Sequence, residues 1–109
     1  MEIRRGDLVT VALRGDHGKL RPALVVQADP FQALASVTVL PLTSELHDWP
    51  LFRITIRPSR RNGLPALSQV MIDKAVTVPR EKVGPSIGRG DAATLRSVDI
   101  ALGRFLGLR

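Results

Sequence analysis

At 109 residues, 44% of them hydrophobic and none cysteine, the chain suits one domain, 1–109, with a packed core, and it excludes a disulfide framework or thiolate metal site. Sixteen Lys and Arg against ten Asp and Glu leave a charge of +6, and two histidines, His17 and His47, are too few for an all-histidine zinc site. The opening Met-Glu-Ile-Arg-Arg-Gly-Asp lacks the apolar centre of a signal peptide and no charge-free apolar run reaches the roughly 18 residues of a membrane span, so a cytoplasmic protein without membrane association is expected.

Asp7 to Leu13 is rich in β-branched residues and bounded by Gly6 and Gly15, which predicts a first strand. A polar stretch, Arg14 to Lys19, separates it from Pro22–Gln27, a short apolar run expected to be a strand buried on both faces. After the turn signal Asp29-Pro30, Ser36–Leu40 alternates as a third strand and is expected to stop at Pro41, which has no N–H for a ladder. Leu51–Arg57 alternates again, with Phe52, Ile54 and Ile56 on an apolar face and Arg53, Thr55 and Arg57 on a basic one. Past Pro58, Asn62-Gly63 and Pro65, the segment Ser68–Val78 has room for one or two more strands. From Asp91 the period changes: Ala92, Leu95, Val98, Leu102 and Phe105/Leu106 recur at helical intervals, with Asp91 placed as N-cap and Gly107 as the C-terminal stop. The expected fold class is mainly β with a C-terminal helix, a small bent sheet or barrel on which the helix packs.

Charge is concentrated in one window. Between Trp49 and Ile72 there is no acidic residue, yet Arg53, Arg57, Arg60 and Arg61 all fall there. Such clustering is what a phosphate-binding surface needs, though a solvated strand face has the same composition. Trp49 is the one tryptophan available to stack a base. No P-loop, Gly-x-Ser-x-Gly elbow, His-Glu-x-x-His pair or clustered carboxylates are present, so no metal or cofactor is expected. RNA cleavage suits such an inventory, because the 2′-OH is a built-in nucleophile and the reaction needs only proton transfer and cationic stabilisation.

Arg5-Gly-Asp-Leu-Val-Thr-Val, Lys19-Leu-Arg-Pro-Ala-Leu-Val-Val26, Val39-Leu-Pro-Leu-Thr-Ser44, Val98-Asp-Ile-Ala-Leu102 and Leu106-Gly-Leu108 together resemble the MazF/PemK family of toxin endoribonucleases over nearly the whole chain. The resemblance implies a homodimer of SH3-like barrel subunits, cleaving single-stranded mRNA without metal and restrained by a cognate antitoxin peptide. It places the catalytic pair at Arg21 and Thr43, with Arg21 better suited to charge stabilisation than to proton transfer. RNA contacts are expected at His17, Lys19, Ser44, Trp49, Arg53, Arg57 and Lys74. Lys74 stands where many members have glutamine, and the loop before Arg21 is shorter than the family's common form. His47 is read as an exposed turn residue with a nucleotide contact as its alternative. Two other functions fit a related fold: a non-enzymatic toxin of the CcdB type poisoning DNA gyrase, and a binding module without turnover.

Overall fold

The structure, a computed structural model, describes residues 2–108. Its strands are β1 (Asp7–Ala12), β2 (Leu20–Val25), β3 (Ser36–Thr43), β4 (Arg53–Ile56), β5 (Ser68–Met71), β6 (Val76–Pro79) and β7 (Val83–Arg89), followed by helix α1 (Ala92–Phe105). All pairings are antiparallel, in the order β4-β5-β3-β2-β1-β7, with β6 also on β3. The sheet is curled rather than closed, since β4 and β7 are its unpaired ends.

Strand β3 organises this sheet. It runs past Pro41 to Thr43, two residues further than an imino acid was expected to allow. Val26 N–H donates to the Thr38 carbonyl on the β2 edge, so by alternation the missing donor of Pro41 faces the opposite edge. That edge has a gap there: β6 pairs as far as Val39, and β5 begins at Leu42. The proline therefore removes no ladder bond.

Both faces of β1, β2 and β3 are buried, in cores of different composition. Leu8, Leu24, Leu40, Leu42, Ile56, Val70 and Ile72 pack beneath Val98 and Ala101 of α1. On the opposite face Val9, Val11, Ala23, Val25, Val37, Val39 and Val78 fill the concave side. A tightly curled face encloses little space, which suits short β-branched side chains.

The Arg5-Gly-Asp run closes the molecule. Asp7 is 6% exposed and its carboxylate accepts from Arg4 N–H and from Arg89, while Arg5 reaches Asp99 on α1. Gly6 between them has φ +94°, and a Cβ there would stand 3.0 Å from Leu95 of the helix. Strand β7 was not legible: Val-Gly-Pro-Ser-Ile-Gly-Arg carries the composition of a loop. It pairs with β1 through two register shifts, and a Cβ at Gly88 would lie 2.3 Å from the Arg61 carbonyl oxygen, so close backbone packing selects the glycine. The helix stripe also departs from expectation. Val98 and Ala101 are buried with Leu95 and Leu102 beside them, but Ala92, Phe105 and Leu106 face outward.

Asp91 caps α1 by accepting from Thr94 N–H at 2.7 Å, and Leu108 N–H returns to the Gly103 carbonyl across Gly107. The backbone hydrogen bond from Thr94 holds the Asp91 carboxyl below its ordinary value. A lowered folded-state value makes this contribution present above the unfolded pKa and lost as pH falls through the folded one. Asp91→Asn keeps an acceptor but no titration, so the urea midpoint of the wild type should fall toward that of the variant below about pH 4, the gap being widest near neutrality. An unchanged gap across that range would contradict the assignment.

Candidate active site

Arg21 and Thr43 meet because of β-sheet register. Ala23 pairs with Pro41, and the same register carried two residues on sets Arg21 opposite Thr43. Odd-numbered residues of these strands face the valine core, so Arg21 and Thr43 continue its face where the core gives out at the rim. Both line a cavity of about 160 Å³ together with Lys19, Ser44 and Ser68.

Each of the two is prepared by a local contact. Arg21 Nε donates to Asp16 Oδ2 at 2.8 Å, leaving its terminal Nη atoms as the donors for a ligand in the cleft. Asp16 was not anticipated; it belongs to the loop whose His17 adopts a left-handed φ of +53°. Thr43 Oγ1 accepts from Glu45 N–H at 3.0 Å, which leaves the hydroxyl proton free to donate. The cleft thus presents guanidinium, ammonium and hydroxyl donors, a set suited to an anionic oxygen.

The same face runs on across the sheet. Thr43 pairs with Gln69 of β5, and Gln69 with Thr55 of β4. Gln69 is buried and fully engaged: its Oε1 accepts from His47 N–H, and its Nε2 donates to the His47 carbonyl and to Thr55 Oγ1. It thereby fastens the 44–50 loop, on which the His47 and Trp49 rings stack at 3.9 Å, with the Arg53 guanidinium 5.0 Å from the Trp49 centroid. Arg53 is half-buried, with Nε and Nη1 enclosed and without partners, rather than displayed on an open basic face.

Of the expected contacts, Lys19 and Ser44 line the cleft with the pair. Trp49 and Arg53 form the neighbouring aromatic platform. Arg57 lines a separate cavity described below. His17 is exposed beside Asp16, outside the cleft lining, and Lys74 lies outside it too, on a 3-10 turn at Ile72–Lys74 next to Asp73. His47 is stacked and half-buried, not an exposed turn residue. Gln69 escaped sequence reasoning because its partner, the His47 backbone, lies 22 residues away, and Asp16 because only the left-handed turn at His17 folds its loop back onto Arg21. Among the described residues no three His, Cys, Asp or Glu side chains converge, and no helix is long and apolar enough to cross a membrane.

A curled sheet with a helix on one face and an arginine–threonine cleft at the rim of the other defines a small β protein with a cationic, hydroxyl-bearing cleft. The family model for PemK-like, MazF-like toxins of type II toxin–antitoxin systems matches residues 4–106. A probable endoribonuclease MazF of Mycolicibacterium smegmatis is 47% identical over 107 residues, 97% of this chain and 98% of that one. Toxin MazF-mt6 of Mycobacterium tuberculosis superposes with a TM-score of 0.81 at 25% identity, over 94% of this chain and 98% of that one. A mycobacterial endoribonuclease solved with its cognate antitoxin has the same fold, with a TM-score of 0.84 at 24% identity over 99% and 98% of the two chains. The chain belongs to the MazF-like toxin family.

Replacing Gln69 by Leu strips partners from the His47 N–H and carbonyl and from Thr55, which should lower the unfolding free energy by about 1–3 kcal/mol. Urea denaturation followed by Trp49 fluorescence reads both the loss and the freeing of the 44–50 loop; an unaltered midpoint and emission would show that the loop is held by something else.

Proposed function

We propose that this protein is a metal-independent endoribonuclease that cuts single-stranded mRNA by attack of a 2′-OH on the adjacent phosphorus. The observation that carries this reading is the shared cleft of Arg21 and Thr43, with Asp16 holding the guanidinium. As the O2′–P bond forms and the P–O5′ bond breaks, the 2′ oxygen loses its proton to solvent, the leaving 5′ oxygen takes one from solvent, and the products are a 2′,3′-cyclic phosphate and a 5′-hydroxyl. Negative charge grows on the non-bridging oxygens during this step. The Arg21 Nη donors neutralise it and the Thr43 hydroxyl fixes one oxygen, an electrostatic role that leaves arginine protonated throughout. Lys19 and Ser44 hold the neighbouring backbone, Trp49 and Arg53 offer a platform for a base, and Arg57 extends the cationic track; His17 and Lys74, outside the cleft, are given no part in the step.

The toxin works in the cytoplasm as a homodimer, and an acidic, disordered antitoxin segment covers the same cationic face in competition with RNA. Exposed Ile100, Phe105, Leu106 and Leu108 on and after α1 supply apolar surface for these associations. The gyrase-poisoning reading is set aside, because the matched family is the MazF-like one and both members of the RNA-cleaving pair are present.

Purified protein should cut a long single-stranded RNA in excess EDTA at discrete sites with these termini. Arg21→Ala should lower kcat/KM by about 10²–10³-fold, the scale of one lost oxyanion donor, and Thr43→Ala by a similar order. Asp16→Ala should cost about 10–100-fold through misplacement of Arg21, with partial recovery in Asp16→Asn. Cleavage by Arg21→Ala at the wild-type rate would refute the site.

A further inference from the structure

Residues 57–63, between β4 and β5, form a loop secured from within and from behind. Asn62, 6% exposed, accepts Ser59 N–H and Leu64 N–H on Oδ1 and donates through Nδ2 to the Arg57 carbonyl. Ser59 Oγ in turn accepts Asn62 N–H, and Gly63 N–H donates to the Ser59 carbonyl. From behind, Arg89 N–H of β7 donates to the Arg61 carbonyl at 2.9 Å. A loop tied in this way fixes the backbone from which Arg57, Arg60 and Arg61 project.

Arg57, Arg61 and Arg89 line one cavity of about 390 Å³, walled by Thr55, Asp91 and Thr94. Arg89 is fixed by Asp7 and the Arg5 carbonyl. Among the described residues neither Arg57 nor Arg61 belongs to an ion pair. Asp91 is the single carboxylate in the wall, and its side chain is committed to Thr94 N–H. With Arg89 neutralised by Asp7, Arg57 and Arg61 face the one carboxylate of Asp91, which leaves the cavity with an excess of cation, and the forked donors of Arg57 and Arg61 match phosphate geometry.

The cavity is separate from the cleft but lies within reach of it along the sheet. Thr55 in its wall lies two strands from Thr43, about 10 Å at ordinary interstrand spacing, on the same face, and alternation puts Arg57 on that face as well. We propose that this cavity is a second phosphate site, which seats a phosphodiester of the RNA strand at a fixed distance from the one being cleaved. The proposal rests on the ribonuclease reading and adds to it a site that sets the length of RNA engaged.

The test compares, in EDTA, a short RNA ending one nucleotide to either side of the mapped cleavage bond with a long RNA carrying the same bond. Wild type should favour the long RNA in kcat/KM. Arg61→Gln should reduce that preference about tenfold and lower the slope of log kcat/KM against log salt by about 0.7, the contribution of one phosphate contact on a single strand. Arg61→Lys should keep most of the salt slope, which separates charge from a folding defect. Equal losses on short and long RNA, or an unchanged preference and slope, would overturn the second site while leaving the cleft intact. Unchanged RNA length preference in Arg61→Gln, with weakened binding of a poly-aspartate peptide, would assign the cavity to an acidic chain and overturn it too. Failure of the wild type to cut either RNA would instead remove the ribonuclease reading on which the site depends.

Discussion

The register of β2 on β3 is the constraint from which the rest follows. Ala23 opposite Pro41 sets Arg21 opposite Thr43, and a slip of either strand by one residue would turn its member of the pair to the helix-side core and part the two. That register is held from both sides. Leucines 24 and 40 are locked beneath α1, valines 25 and 39 in the concave core, so neither face tolerates the slip. Strand β3 can serve β2, β5 and β6 together because Pro41 places its missing donor where one neighbour has ended and the next has not begun.

Charge is divided in keeping with this geometry. Asp7 and Asp99 are matched to Arg89 and Arg5, tying the N-terminal strand to β7 and to the helix. Asp16 takes one edge of Arg21 and leaves the other. The window from Trp49 to Ile72 holds arginines without carboxylates, so the cation excess lies along the face that begins at the cleft and ends at the Arg57–Arg61–Arg89 cavity. A surface arranged in this manner sets up a positive potential along one face of the sheet.

Much of this was legible in the sequence because the relevant signals are local. The β-branched content of β1, the alternation of β4, the Asp91 cap and the Gly107 stop each depend on neighbouring residues. The pair Arg21 and Thr43 was legible through family resemblance, since nothing local distinguishes an arginine before a proline from a surface arginine. What escaped reading depends on distant partners. Strand β7 is stabilised by β1 and by the backbone of the 57–63 loop, while its own Gly and Pro content argues for a turn. The extension of β3 past Pro41 depends on an exchange of neighbours that no strand pattern encodes. Gln69 gains its role from the His47 backbone, whereas Asp16 meets its near neighbour Arg21 only through the turn at His17. Arg53 alternates like its neighbours but lies against Trp49, so identical periodicity produced one enclosed arginine and one open one.

The account stands or falls on whether the RNA supplies its own nucleophile in the Arg21–Thr43 cleft. The most direct measurement uses an oligonucleotide with a single 2′-deoxy substitution on the 5′ side of the mapped bond, incubated with wild-type protein in EDTA. The account predicts that this bond alone becomes resistant, while identical bonds with an intact 2′-OH are cut and end in a cyclic phosphate. Cleavage of the deoxy-substituted bond at the same rate would mean that water or another nucleophile attacks, and would contradict the mechanism.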